Sequence, residues 1–85
     1  MKIEVSSHFK RKYKKLLKSV KEKAKKQELI FKNNPFDSRL ATHKLHGIKK
    51  DEWAYSVNSS YRITFVFLED NKILYTDIGT HDELY

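Results

Sequence analysis

The chain has no cysteine. Disulfides, thiolate metal sites and a cysteine nucleophile are all excluded, which suits a reducing compartment. Glycine occurs only at positions 47 and 79 and proline only at 35. A glycine-lined phosphate cradle, a P-loop or a dinucleotide-binding turn has almost nothing to be built from, and no recognisable Ser-His-Asp arrangement is present. Long apolar runs are missing too. The start Met1-Lys2-Ile3-Glu4-Val5 leads into polar and basic residues rather than a signal-peptide core, and no later segment is long and apolar enough for a bilayer. A cytoplasmic protein with no membrane partner is the expectation.

Acidic residues are scarce in the first part of the chain. Residues 1–50 carry 16 lysines and arginines against four acids, a net +12, whereas residues 51–85 carry two against seven, a net −5. A field polarised in this way favours phosphate backbones or an acidic protein partner, because neutralising phosphates releases condensed counterions. The plainer alternative is a solvated lysine-rich surface that only maintains solubility. Eighty-five residues leave room for one domain, residues 1–85, with one modest core, since a chain of this size hides only roughly two-thirds of its unfolded surface.

Periodicity orders the elements. Ile3 and Val5 alternate with polar neighbours between Met1 and Ser6, the pattern of a short strand. Ser6 or Ser7 then caps a helix in which Phe9, Tyr13, Leu16, Leu17, Val20 and Ala24 recur at helical spacing, with lysines over much of the remaining circumference. Ser19 marks a break into a second helix running through Leu29, Ile30 and Phe31. Asn33-Asn34-Pro35 ends it, because the residue before proline is driven out of the helical region. Residues 34–50 read as one long irregular segment with a turn at Gly47, and a loop of that length is usually functional or mobile.

Three strands follow. They run from Glu52 to Asn58 with Trp53, Tyr55 and Val57 alternating, from Tyr61 to Leu68 with Ile63, Phe65 and Phe67 on one face, and from Lys72 to Ile78. Short turns at Asn58-Ser59-Ser60 and Glu69-Asp70-Asn71-Lys72 make them an antiparallel meander. Residues after Gly79 read as a bend into a polar turn. The expected class is α+β: an N-terminal strand, two helices packed on one face of a mixed sheet, then the three-stranded meander.

Three stretches stand out: Thr42-His43-Lys44-Leu45-His46-Gly47, the pair Trp53-Ala54-Tyr55-Ser56-Val57-Asn58 and Ser60-Tyr61-Arg62-Ile63-Thr64-Phe65, and the ending Ile78-Gly79-Thr80-His81-Asp82-Glu83-Leu84-Tyr85. Together, and with the order of elements over the whole chain, they resemble the RelE/ParE toxin superfamily. The Gly-Thr-His ending and the His-x-Leu-x-Gly segment are most similar to its YafQ branch. The resemblance implies a RelE-like fold and a toxin of a type II toxin–antitoxin pair that cuts messenger RNA on the ribosome. Its partners would be a cognate antitoxin, the ribosome and the messenger, with no cofactor and no metal.

By position, the resemblance makes His43 the general base, Arg62 the cation aimed at the scissile phosphate, His81 the general acid and Tyr85 the aromatic that orients the nucleotide. One departure is visible: where the YafQ branch has a further histidine and aspartate before the third strand, this chain has Val57 and Tyr61. Two other readings of the same fold stay open, a ParE-like DNA gyrase inhibitor and an inactive nucleic-acid-binding or interaction module.

The chemistry supports this residue set independently. RNA cleavage without a metal needs a base for the 2′-hydroxyl, a cation for the phosphorane and an acid for the leaving 5′-oxygen. Histidine can fill either proton-transfer role near neutral pH, and arginine offers a rigid fork of donors to phosphate oxygens. Lys44, Lys49 and Lys50 in the loop, and Lys10, Lys14 and Lys18 in the helices, are the expected RNA-binding cations.

Each residue also has a plainer role. His43 could be an ordinary loop residue, Arg62 could pair across the sheet with Asp77, and Trp53 fits a core better than a base-stacking site. His8 is expected in solvent, and His46 as turn decoration outside the site. Asp77, His81 and Asp82 lie near one another in sequence, but no ligand pair of recognisable spacing completes a metal shell.

Overall fold

The computed structural model describes residues 1–47 and 51–85. Alternation at Ile3 and Val5 becomes strand β1 (Lys2–Val5), and the Ser6 hydroxyl accepts from the Phe9 amide at 3.0 Å to start helix α1 (Ser7–Lys14). Helix α2 spans Lys18–Asn33. Its break from α1 falls at residues 15–17 rather than at Ser19. Leu16 packs partly into the core, Leu17 takes the extended cap conformation, and Ser19 lies exposed in the first turn. This phase sets Val20, Ala24, Gln27 and Phe31 in one buried stripe.

The strands β2 (His43–Lys44), β3 (Trp53–Ser56), β4 (Tyr61–Leu68) and β5 (Lys72–Thr80) join β1 in one mixed sheet of order β1-β5-β4-β3-β2. The β3-β4-β5 meander is antiparallel as expected, and β1 adds to β5 in parallel. Asp70 and Asn71, both at positive φ, close the β4–β5 turn. The turn before β4 is an Asx turn, with Asn58 Oδ1 accepting from the Ser60 and Tyr61 amides.

The core lies between the helices and one face of the sheet. Phe31 is fully buried, stacked on Tyr55 at 4.7 Å and edge-on to Phe65 at 4.9 Å. Truncating such a ring costs about 3–5 kcal/mol. The hydroxyls of Tyr55 and Tyr75 satisfy each other inside this core at 2.9 Å. A β-bulge adds Thr76 to β5, so that Thr64 faces Asp77 while Phe65 faces Tyr75. Strict alternation from Ile73 and Tyr75 would bring Asp77 inward; the extra residue brings in Ile78, opposite Ile63.

Residues 34–47 are more ordered than their composition suggests. Asn34 is extended ahead of Pro35, its side chain accepting from the Phe36 amide, and Asp37 caps a 3-10 turn at Ser38–Leu40. Buried Gln27 donates to the carbonyls of Ser56 and Arg39, tying this segment to α2 and β3. The chain then enters β2, a fifth strand within the segment that reads as irregular. Local side-chain hydrogen bonds and pairing to β3 supply the order, and neither produces a hydrophobic period.

The ending is likewise a helix, α3 (His81–Leu84), rather than a polar turn. Thr80 and Glu83 form a capping box, and Thr-x-x-Glu is a pattern visible in the sequence. Leu84 is buried at its end. No helix among the described residues is long and apolar enough to cross a membrane.

Candidate functional site

His43 stands on β2, at an edge of the sheet, opposite Ala54 of β3, which in turn faces Thr64 of β4. Arg62 lies two residues from Thr64 on β4 and therefore shares this face, the one away from α2. Tyr55, Ile63 and Phe65, the residues next to these along the strands, pack on the helix side. His81 and Tyr85 begin and follow α3, directly after β5. Since β4 and β3 separate β5 from β2, the chain end crosses roughly 14 Å of sheet, at about 4.8 Å per strand step, to reach His43.

That crossing brings the residues together. The Tyr85 hydroxyl is 3.2 Å from His43 Nε2, and the two rings meet edge-on at 5.9 Å. His81 meets the Tyr85 ring edge-on at 4.3 Å. Tyr85 thus sits between the two histidines. His43 Nδ1 lies 3.1 Å from the Ala41 carbonyl, which can only accept, so the neutral ring carries its proton on Nδ1 and presents a lone pair at Nε2. Burial pushes the Tyr85 phenol pKa up, with the Arg62 charge opposing it. The phenol stays protonated and donates to His43.

Arg62 does not pair with Asp77. The register sets Gly79 opposite Arg62, whose guanidinium donates to the carbonyls of Asn58 at 2.8 Å and Tyr61 at 3.1 Å. It forms no ion pair among the described residues. Two neutral acceptors orient the fork while leaving its charge uncompensated. Asp77 instead takes Lys12 at 2.8 Å and His8 at 3.2 Å.

The remaining residues divide. Val57 is buried in the core and Tyr61 packs against it. Lys10, Lys14 and Lys18 are exposed on α1 and at the start of α2. Lys44 is exposed beside His43, but alternation turns it to the opposite face, across from Trp53. Lys49 and Lys50 lie outside the described residues. His46 is exposed, and Trp53 forms an aromatic trio with Phe36 and Phe67. Among the described residues no group of three or more His, Asp or Glu is placed to hold a metal. His81 Nδ1 has Asp82 at 3.8 Å.

No family model matches the chain, and neither does any curated protein sequence. Solved structures do. YafQ from E. coli superposes with a TM-score of 0.79 at 24% identity, covering 98% of this chain and 96% of its own. The fold is that of the RelE/ParE toxins. Within this RelE-like fold a YoeB/ParE toxin from Agrobacterium tumefaciens matches at TM-score 0.79 and 15% identity, over 95% of this chain and 99% of that one. RelE in the archaeal RelE-RelB complex from Pyrococcus horikoshii matches at 0.73 and 16%, over 93% and 92%.

Two contacts around these residues are absent from a reading of the sequence alone. Asn58 holds Arg62 through a backbone carbonyl, which no residue type announces. Lys12 reaches Asp77 and Glu83 from a helix crowded with other lysines, and nothing in its spacing separates it from them.

Proposed function

We propose that the chain is the toxin of a type II toxin–antitoxin pair, a ribosome-dependent endoribonuclease that cuts messenger RNA through the 2′-hydroxyl without a metal. The carrying observation is the meeting of His43, Tyr85 and His81 from two separate parts of the chain, with Arg62 on the same sheet face as His43. The shared fold with toxins supports it.

In this reading the messenger enters over Tyr85 and takes the place of its hydroxyl at His43 Nε2. That nitrogen then removes the 2′-hydroxyl proton, and the Ala41 carbonyl stabilises the imidazolium through Nδ1. The 2′-oxygen attacks phosphorus, Arg62 holds the charge that gathers on the phosphoryl oxygens, and protonated His81 gives its proton to the departing 5′-oxygen. The products are a 2′,3′-cyclic phosphate and a 5′-hydroxyl. Lys10, Lys14 and Lys18, with Lys44, Lys49 and Lys50, supply charge for ribosomal RNA.

The partner at rest is a cognate antitoxin, as RelB is for RelE in the archaeal complex. With a net +12 over residues 1–50, an acidic, partly disordered segment folding over residues 8–32 is the matching chemistry, and the complex should weaken as salt rises. Induction of the chain alone, with mapping of messenger ends, tests the activity. Cuts within translated codons are expected; intact messengers with gyrase-dependent DNA breaks would replace this reading by the ParE-like one.

A further inference from the structure

Lys12 differs from its basic neighbours on α1. Its side chain is only 27% exposed, whereas Lys10, Arg11 and Lys14 face solvent. Its ammonium lies 2.8 Å from Asp77 of β5 and 4.0 Å from Glu83 of α3. It also rests over Gly79: a Cβ added there would meet Lys12 Nζ at 2.9 Å and Glu83 Oε1 at 3.2 Å. The glycine of the Gly79-Thr80-His81 signature thus makes room for a cation and a carboxylate. Glu83 is fixed in turn, accepting from the Thr80 amide at 2.8 Å.

A single helical turn has little stability of its own, so whatever anchors α3 decides where His81 and Tyr85 point. We propose that Lys12, seated over Gly79 and joining Asp77 to Glu83, is a positioning residue that fixes the angle at which α3 leaves the sheet and so holds Tyr85, with His81 beside it, against His43. The catalytic consequence rests on the endonuclease reading; the geometric role does not. Two carboxylates share the ammonium, which sets it apart from Lys10 and Lys14 as a phosphate ligand.

The test compares Lys12→Met and Lys12→Arg in the full chain. Nuclear Overhauser contacts between the ring protons of Tyr85 and of His43 report the geometry of the free protein. Single-turnover cleavage on saturating programmed ribosomes reports the chemical step, and ribosome affinity is measured beside it. Lys12→Met should lose the ring contacts and slow cleavage by about 10- to 100-fold, the scale of a small misplacement of reacting groups, with affinity held. Lys12→Arg should restore both.

Ring contacts and cleavage rate unchanged in Lys12→Met would overturn the role, as would a loss of affinity with an unchanged rate at saturation, which marks a phosphate contact. Lost ring contacts in a protein whose parent cuts no RNA would sustain the positioning role and sink the endonuclease reading. Should Lys12→Met unfold, Glu83→Gln keeps the cap but removes the charge that Lys12 reaches. Unaltered ring contacts there would overturn the proposal.

Discussion

Tyr85 donates its hydroxyl to His43 Nε2 across 3.2 Å, joining the last residue of the chain to an edge strand of two residues. The same nitrogen is the base in the proposed mechanism, so this bond marks where a 2′-hydroxyl would sit. Tyr85→Phe keeps the edge-on ring contacts to both histidines and loses only the hydroxyl. Tyr85→Ala loses everything. Cleavage should fall by about 10- to 100-fold in the alanine variant, and clearly less in the phenylalanine variant, measured as single-turnover rates on programmed ribosomes. Equal losses in the two would assign the effect to the hydroxyl rather than to the ring.

His81→Gln separates chemistry from binding. The amide keeps a polar side chain of similar reach but cannot give up a proton as an acid. Cleavage should drop ~100- to 10,000-fold, the range for a positioned general acid, while ribosome affinity and thermal stability stay near parental, since His81 is exposed. His46→Ala, also exposed and outside the site, is the silent control. A His81→Gln protein cutting at the parental rate would remove His81 from the acid role.

Arg62→Lys should not rescue what Arg62→Ala loses. The guanidinium is held by the carbonyls of Asn58 and Tyr61 through one nitrogen, a geometry that needs a planar fork if phosphate is to be met by the others. An ammonium keeps the charge and loses that shape. Comparable cleavage by Arg62→Lys and the parent would mean that charge alone suffices at this position.

Gln27 bears on stability rather than catalysis. Its buried amide donates to Ser56 at 2.9 Å and Arg39 at 3.4 Å, so Gln27→Leu leaves carbonyls without their side-chain donor. A loss of about 1–3 kcal/mol is expected, read from urea unfolding. The segment carrying His43 should loosen with it, visible as faster amide exchange near Arg39.

Asp77 sets an acid limb. Partial burial pushes its carboxyl pKa up, but the bond and charge of Lys12, the Ile78 amide and His8 outweigh burial and hold it below the ordinary 3.8. A folded pKa below the unfolded one stabilises at pH above the unfolded value, and that contribution disappears as pH falls through the folded value. Asp77→Asn should therefore be less stable than the parent at neutral pH, with the gap closing below 3.8 in denaturant titrations. A gap that widened on acidification would contradict the shift.

Much of this protein was readable from residue order. The spacing of Phe9, Val20, Ala24 and Phe31, the Asn34-Pro35 stop and the alternation through Trp53, Ile63 and Ile73 follow from side-chain period and backbone sterics, which act locally. Family-like segments at His43, Arg62 and His81 named the candidate residues. Tertiary structure decided what those residues touch. Thr76 as a bulge, β2 as a strand and Lys12 over Gly79 depend on partners far away in sequence. So does Tyr85 reaching His43: its position is set by how many strands lie between β5 and β2, by the cap at Thr80 and by burial of Leu84, and none of these is a property of a local window.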